Sequence, residues 1–222
     1  MFSAFDSLTI EVPDLARARS EYAALFGQMP VEDRLHLGNI TVSLRQSARA
    51  ASAQLTTLAL LDPSLPEGTS ERLSGNCRGL RLMRAHLRQP GHTETPTPTG
   101  ICAVDHIVLQ TRDADDCIRL FGDDLGLRLA LDQTVPEFGG RMLFFRHGKL
   151  TLEVIQSLQK PPEQDTFWGI TYQCRDIEAT VSALDQRGVK HSGIRPGRKP
   201  GTRVATIRSH CLKLPTLVIG PA

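Results

Sequence analysis

Two residues in this sequence have chemistry to offer from the middle of predicted strands, His106 and Glu153. An imidazole and a carboxylate can hydrogen-bond one another, exchange a proton with an organic ligand, or contribute to holding a metal. A second group lies in Arg195-Pro196-Gly197-Arg198-Lys199-Pro200-Gly201-Thr202-Arg203, where Arg195, Arg198, Lys199 and Arg203 are separated by proline and glycine. Such breakers hold a loop open, and guanidinium forks suit a carboxylate or phosphate. A solvated basic turn would have the same composition. Trp168, the sole tryptophan, either walls a ligand site or packs in the core. His36, His86, His92, His147 and His191 show no ligand spacing and are expected on the surface or in loops.

These groups must be positioned by a repeated element. The segments Asp6–Asp14, Asp105–Asp113 and Trp168–Asp176 share one shape: a short strand with alternating apolar residues, ending on Asp. Each final Asp is placed to cap a helix. The helices are marked by Leu15, Tyr22 and Phe26, by Ile118, Phe121 and Leu125, and by Ile177, Val181 and Leu184. Gly27, Gly126 and Gly188 then close them. Hairpin sequence follows at Gly139–Arg146 with Leu150–Ile155, and at Gly201–Arg208 with Leu214–Ile219, with a shorter version at Leu35–Leu44. Strands at Leu55–Leu61 and Leu80–Leu87 hint at a degenerate further unit. The proline- and glycine-rich stretch from Gln89 to Gly100 can sustain neither helix nor ladder. The expected organisation is a degenerate N-terminal domain (1–90), a linker (91–100) and a C-terminal domain of two modules (101–222).

Alternation divides each strand into two faces. Ile107 and Leu109 oppose His106, Val108 and Gln110; Leu150, Leu152 and Val154 oppose Thr151 and Glu153; Ile170, Tyr172 and Cys174 oppose Gly169, Thr171 and Gln173. The apolar faces would pack under helices. The others would line a curved sheet around a cavity with a few convergent polar groups, or would face solvent.

The 222 residues carry a net charge of +2 with 40% hydrophobic residues, which suits a globular protein and gives no basic surface for nucleic acid. No apolar run is long enough to span a bilayer, and acidic residues interrupt the N-terminus where a secretory leader would be apolar. Five scattered cysteines without a C-x-x-C spacing are expected to be free, mostly buried thiols of a cytoplasmic protein.

With these segments in view, the chain resembles the vicinal oxygen chelate superfamily, which includes glyoxalase I, extradiol dioxygenases and bleomycin-resistance proteins. The resemblance rests on Asp105-His106-Ile107-Val108-Leu109 with Asp113, on Leu150-Thr151-Leu152-Glu153-Val154, on Phe167–Tyr172 and on Arg195–Thr206. It is good over residues 102 to 222 and weaker before that. It implies an α+β fold of βαβββ modules paired into cupped mixed sheets, completed within one chain or in a homodimer. It also implies a metal ligand from the first strand (His106) and one from the last strand (Glu153), Glu153 doubling as base. In the second module Gly169 and Thr216 stand where the other ligands would be, and Ser7 and Ser43 occupy the corresponding N-terminal places. His210, or Gln173 through its carbonyl oxygen, is a candidate third ligand, since open metal sites normally draw three from protein. The 2-His-1-carboxylate set of an iron dioxygenase is missing.

Two functions are therefore expected. One is a metal-assisted lyase, isomerase or oxygenase acting on a small anionic substrate. His106 and Glu153 would be catalytic, and Gln173, Thr171, Trp168, Arg198, Lys199 and Arg203 would bind substrate. The divalent cofactor would be Zn, Mn, Ni or Fe. The other is a protein without cofactor that binds or sequesters a small molecule in the same cup.

Overall fold

The computed structural model describes Phe2 and residues 4–86, 96–135 and 140–222. In chain order the elements are β1 (Phe5–Val12), α1 (Leu15–Phe26), β2 (Arg34–Leu37), β3 (Ile40–Gln46), β4 (Gln54–Leu61), β5 (Thr69–Arg72) and β6 (Arg81–His86). Then come β7 (Ile101–Thr111), α2 (Ala114–Cys117) continued by a π-helical segment (Ile118–Asp124), β8 (Arg128–Val135), β9 (Gly140–His147) and β10 (Leu150–Ser157). The last module is β11 (Thr166–Cys174), α3 (Ile177–Asp185), β12 (Arg195–Pro196), β13 (Thr202–Ile207) and β14 (Thr216–Pro221).

The strands form a six-stranded sheet, ordered β2-β3-β1-β4-β6-β5, and an eight-stranded sheet, ordered β12-β13-β14-β11-β7-β10-β9-β8. In the larger sheet each module contributes its first strand, then its last, third and second. The first and last strands run parallel, β7 with β10 and β11 with β14. This is the expected α+β fold of repeated βαβββ modules. The two N-terminal repeats are shortened: β1-α1-β2-β3 has one strand fewer, and β4-β5-β6 has no helix among the described residues. Residues 91–95 of the expected linker lie outside the described residues, and 98–100 form a turn.

The chain divides into two compact units, each drawing on several stretches of sequence. One comprises Met1–Leu8, Thr56–Arg88 and His106–Trp168, the other Thr9–Leu55, Gln89–Asp105 and Gly169–Ala222. In the first, Phe121 meets Phe145 at 5.7 Å, and Ile107, Leu109, Leu152 and Val154 are fully buried. In the second, Phe26 packs edge-on against Tyr172 at 5.0 Å with Tyr22 behind it.

The capping aspartates work as their spacing predicts. Asp14 accepts from the Arg17 amide, Asp113 from that of Asp116 and Asp176 from that of Ala179, all at about 3 Å. Gly27, Gly126 and Gly188 adopt the left-handed conformation at the far ends. The middle helix departs from simple periodicity. The Leu125 amide reaches back five residues to the Leu120 carbonyl, and the wider turn buries Leu120 and Phe121 while Ile118 is half-buried.

Candidate functional site

His106 and Glu153 are brought together. They lie on adjacent parallel strands, with Thr151 facing His106 and Glu153 facing Val108. His106 Nε2 is 3.5 Å from a Glu153 carboxylate oxygen, and their side chains are 19% and 11% exposed. A carboxylate held this deep must be compensated by a donor or a cation, and an imidazole beside it can be that donor. Two such residues alone do not complete a metal site, which needs three protein ligands. Among the described residues no group of three or more His, Cys, Asp or Glu side chains is placed to hold a metal. His210 sits in the turn before β14 at φ +56°, its Nδ1 2.8 Å from the Ser209 hydroxyl, and joins no such group. The donor set among the described residues does not fit a resident metal.

The second module is closely packed at the position matching His106. A Cβ on Gly169 would lie 2.9 Å from the Pro215 carbonyl oxygen, which accepts from the Ile170 amide. A missing side chain at Gly169 suggests room for a ligand there, but the structure corrects this: the backbone of the neighbouring segment fills the space. The alignment of Thr216 with Glu153 is also corrected. Thr216 faces Ile170 on β11 and Ile207 on β13, whereas Glu153 faces Val108 and Phe144. Counting from Gly169 and His106 as equivalents, the residue in Glu153's register is Leu217, which faces Thr171. The register is one residue away from the sequence alignment, and the strand starts at Thr216, two residues later than Leu214. Thr216 is buried and donates to the Leu214 carbonyl.

The predicted binding residues fall into separate places. Trp168 is 47% exposed on β11, so it is not a core residue. Thr171 is buried. The basic loop is no open loop: Pro196 faces Arg203 and Arg195 faces Val204 in a closed hairpin. Arg203 is ion-paired with Glu178, and Arg195 donates to Ser192 and Thr206. Arg198 is exposed beside Lys199. Gln173 and Lys199 do meet, at a cleft of about 420 Å³ over the ends of β11 and β14. Three further lining residues escaped the sequence reading: Cys102, Asp105 and Arg175. Arg175 directly follows β11 before the capping Asp176, so its place could have been read; nothing marked Cys102. The Cys102 thiol donates to the Gln173 carbonyl. Burial pushes the thiol's pKa up while Arg175 pulls it down.

The other histidines are mostly engaged rather than free on the surface. His36 is 3.1 Å from the Thr41 hydroxyl, His86 is 2.8 Å from the Leu65 carbonyl, and His191 pairs with Asp185. His147 is half-buried, edge-on to Phe5. His92 lies outside the described residues. All five cysteines are free, with Cys117, Cys174 and Cys211 buried. Among the described residues no helix is long and apolar enough to cross a membrane.

Residues 105–206 match the family model of the Glyoxalase/Bleomycin resistance protein/Dioxygenase superfamily, so this segment is similar to that superfamily. A triple mutant of 4-hydroxymandelate synthase from Streptomyces coelicolor superposes with a TM-score of 0.71 at 13% identity, covering 99% of this chain and 93% of that one. Methylmalonyl-CoA epimerase from Mycobacterium tuberculosis is similar at TM-score 0.48 and 17% identity, over 58% of this chain and 93% of the other. At 13% identity the likeness to the synthase is one of fold. No curated protein matches the sequence.

Proposed function

We propose that this protein binds a small organic molecule through direct contact with the His106–Glu153 pair, without a resident metal. The observation that carries this reading is the donor set. One His and one Glu stand 3.5 Å apart, with no third His, Cys, Asp or Glu grouped with them among the described residues. A half-buried imidazole beside a buried carboxylate can orient a polar ligand group, and can also pass it a proton. The protein would then be a binding or sequestering member of that superfamily, or one that catalyses proton transfer with its own side chains.

The closeness of the pair also favours a second reading, in which both residues hold a divalent ion and a substrate oxygen supplies the missing ligands. Metal analysis of the purified protein, before and after incubation with Zn, Mn, Ni or Fe ions, separates the two. The first reading expects no stoichiometric metal that depends on the pair. One metal per chain, lost in both His106→Ala and Glu153→Gln, overturns it and supports metal-assisted chemistry. A thermal-shift screen of small carboxylic acids supplies the positive arm: a stabilising acid should lose its effect in His106→Ala.

A further inference from the structure

We propose that the cleft over the ends of β11 and β14 is a separate site for a small organic anion, a carboxylate or phosphate ester with a short apolar body. This goes beyond the reading of the His106–Glu153 pair and does not depend on it.

Two cationic side chains line the cleft, Arg175 and Lys199, against one carboxylate, Asp105. Lys199 has no ion pair among the described residues, whereas neighbouring Arg203 is occupied by Glu178. The Lys199 backbone is fixed by its turn. The Thr202 amide and hydroxyl both donate to the Lys199 carbonyl, at 3.2 and 2.5 Å, and the Gly197 amide donates to the Thr202 carbonyl at 2.8 Å. An ammonium on such a turn is presented at lower entropic cost than one on an open loop. The rest of the lining includes Ile219, Pro200 and Pro221, so the cleft combines cationic with apolar side chains. Its volume of about 420 Å³ falls within the range of small-ligand pockets. Such a surface suits an anionic head on a compact apolar body. A bare inorganic ion would leave the apolar part uncovered.

Cys102 gives a direct readout, because it lines the cleft and is partly accessible. Cys77, also partly accessible, belongs to the other compact unit and serves as reference. The full-length protein is alkylated with iodoacetamide in the presence of benzoate, phenyl phosphate or neutral benzamide, and both thiols are followed by peptide mass spectrometry. At fourfold the dissociation constant, an occupied cleft leaves a fifth of the molecules free, so Cys102 should react about fivefold more slowly while Cys77 is unchanged. Whichever anion protects identifies the head group as carboxylate or phosphate. Lys199→Glu, on an exposed turn, should abolish the protection without altering the Cys77 rate. His106→Ala should retain it, so that failure here and failure of the proposed function are distinct outcomes. The proposal is overturned if neither anion protects, if benzamide protects equally, if Cys77 is slowed alike, or if Lys199→Glu is still protected.

Discussion

The two modules of the eight-stranded sheet are built on one plan and have been filled differently. In the first, the β7–β10 pair carries His106 and Glu153, and the end of β7 is closed by an ionic network. Arg78 donates to Asp165, Asp116 and Thr111, and Asp165 also accepts from the Thr111 hydroxyl and the Arg112 amide. In the second, Gly169 and Leu217 stand in place of the His and Glu. The residue matching Thr111 is Cys174, packed against Gly220, where a Cβ would come within 3.0 Å of its sulfur. One module retains polar groups in its interior and must satisfy them; the other has replaced them by close backbone packing. The difference between the modules is thus structural as well as chemical. The second module has been packed shut at Gly169, so a single substitution does not bring a ligand back.

The largest effect is expected at the ionic network. Arg78 and Asp165 have side chains only 13% and 2% exposed. Arg78→Ala strands a buried carboxylate and should cost about 3–5 kcal/mol, read from urea denaturation. A loss below about 1 kcal/mol would show that Asp165 is solvated by other means and that the contrast between the modules is superficial.

Next comes the packed position itself. Gly169→His puts a side chain onto the Pro215 carbonyl and should cost about 1–3 kcal/mol, with no gain of bound metal. Wild-type stability in this variant would mean that the β11–β14 approach is not a constraint.

How much of this contrast could be read from residues alone differs from one feature to another. The repeat, the capping aspartates, the closing glycines and the buried faces of β7, β10 and β11 were legible, because each is a local pattern with one physical solution. The proximity of His106 and Glu153 was legible once both were placed on paired strands. The register of β14 was not. Thr216 and Leu217 both fit an alternating strand, and only pairing with Ile170 and Thr171 decides between them. Nor was the closed hairpin at Arg195–Arg203 legible, since proline and glycine are as compatible with a tight turn as with an open loop. Arg78 lies more than 30 residues from each of its partners, in a stretch of weak pattern, so its network had no local signal.

The register can be tested by paired substitutions. Glutamate at buried position 216 forfeits the Thr216 hydrogen bond and buries a charge, so Thr216→Glu should cost at least about 2 kcal/mol. Leu217→Glu, at a half-buried position, should cost less than about 1 kcal/mol. The reverse order in thermal or chemical denaturation would restore Thr216 as the counterpart of Glu153.

The smallest expected effect distinguishes the hairpins. His147 closes β9, whereas the matching place after β13 is Ser209, which does not titrate. The ring of His147 stacks edge-on to Phe5 at 5.4 Å, and its Nε2 is buried with no hydrogen-bond partner among the described residues. Burial therefore lowers its pKa below the ordinary value of 6.5. Between the depressed folded value and 6.5 the unfolded chain binds the extra proton. The neutral ring thus contributes its full stability above pH 6.5, and that contribution is lost as the pH falls through the folded value. A single proton limits the slope to about 1.4 kcal/mol per pH unit. Denaturation midpoints of wild type and His147→Gln, measured from pH 7.5 to 5, should show a steeper decline in the wild type. Parallel curves would mean that the ring is solvated, and that the two hairpins differ in sequence without differing in electrostatics.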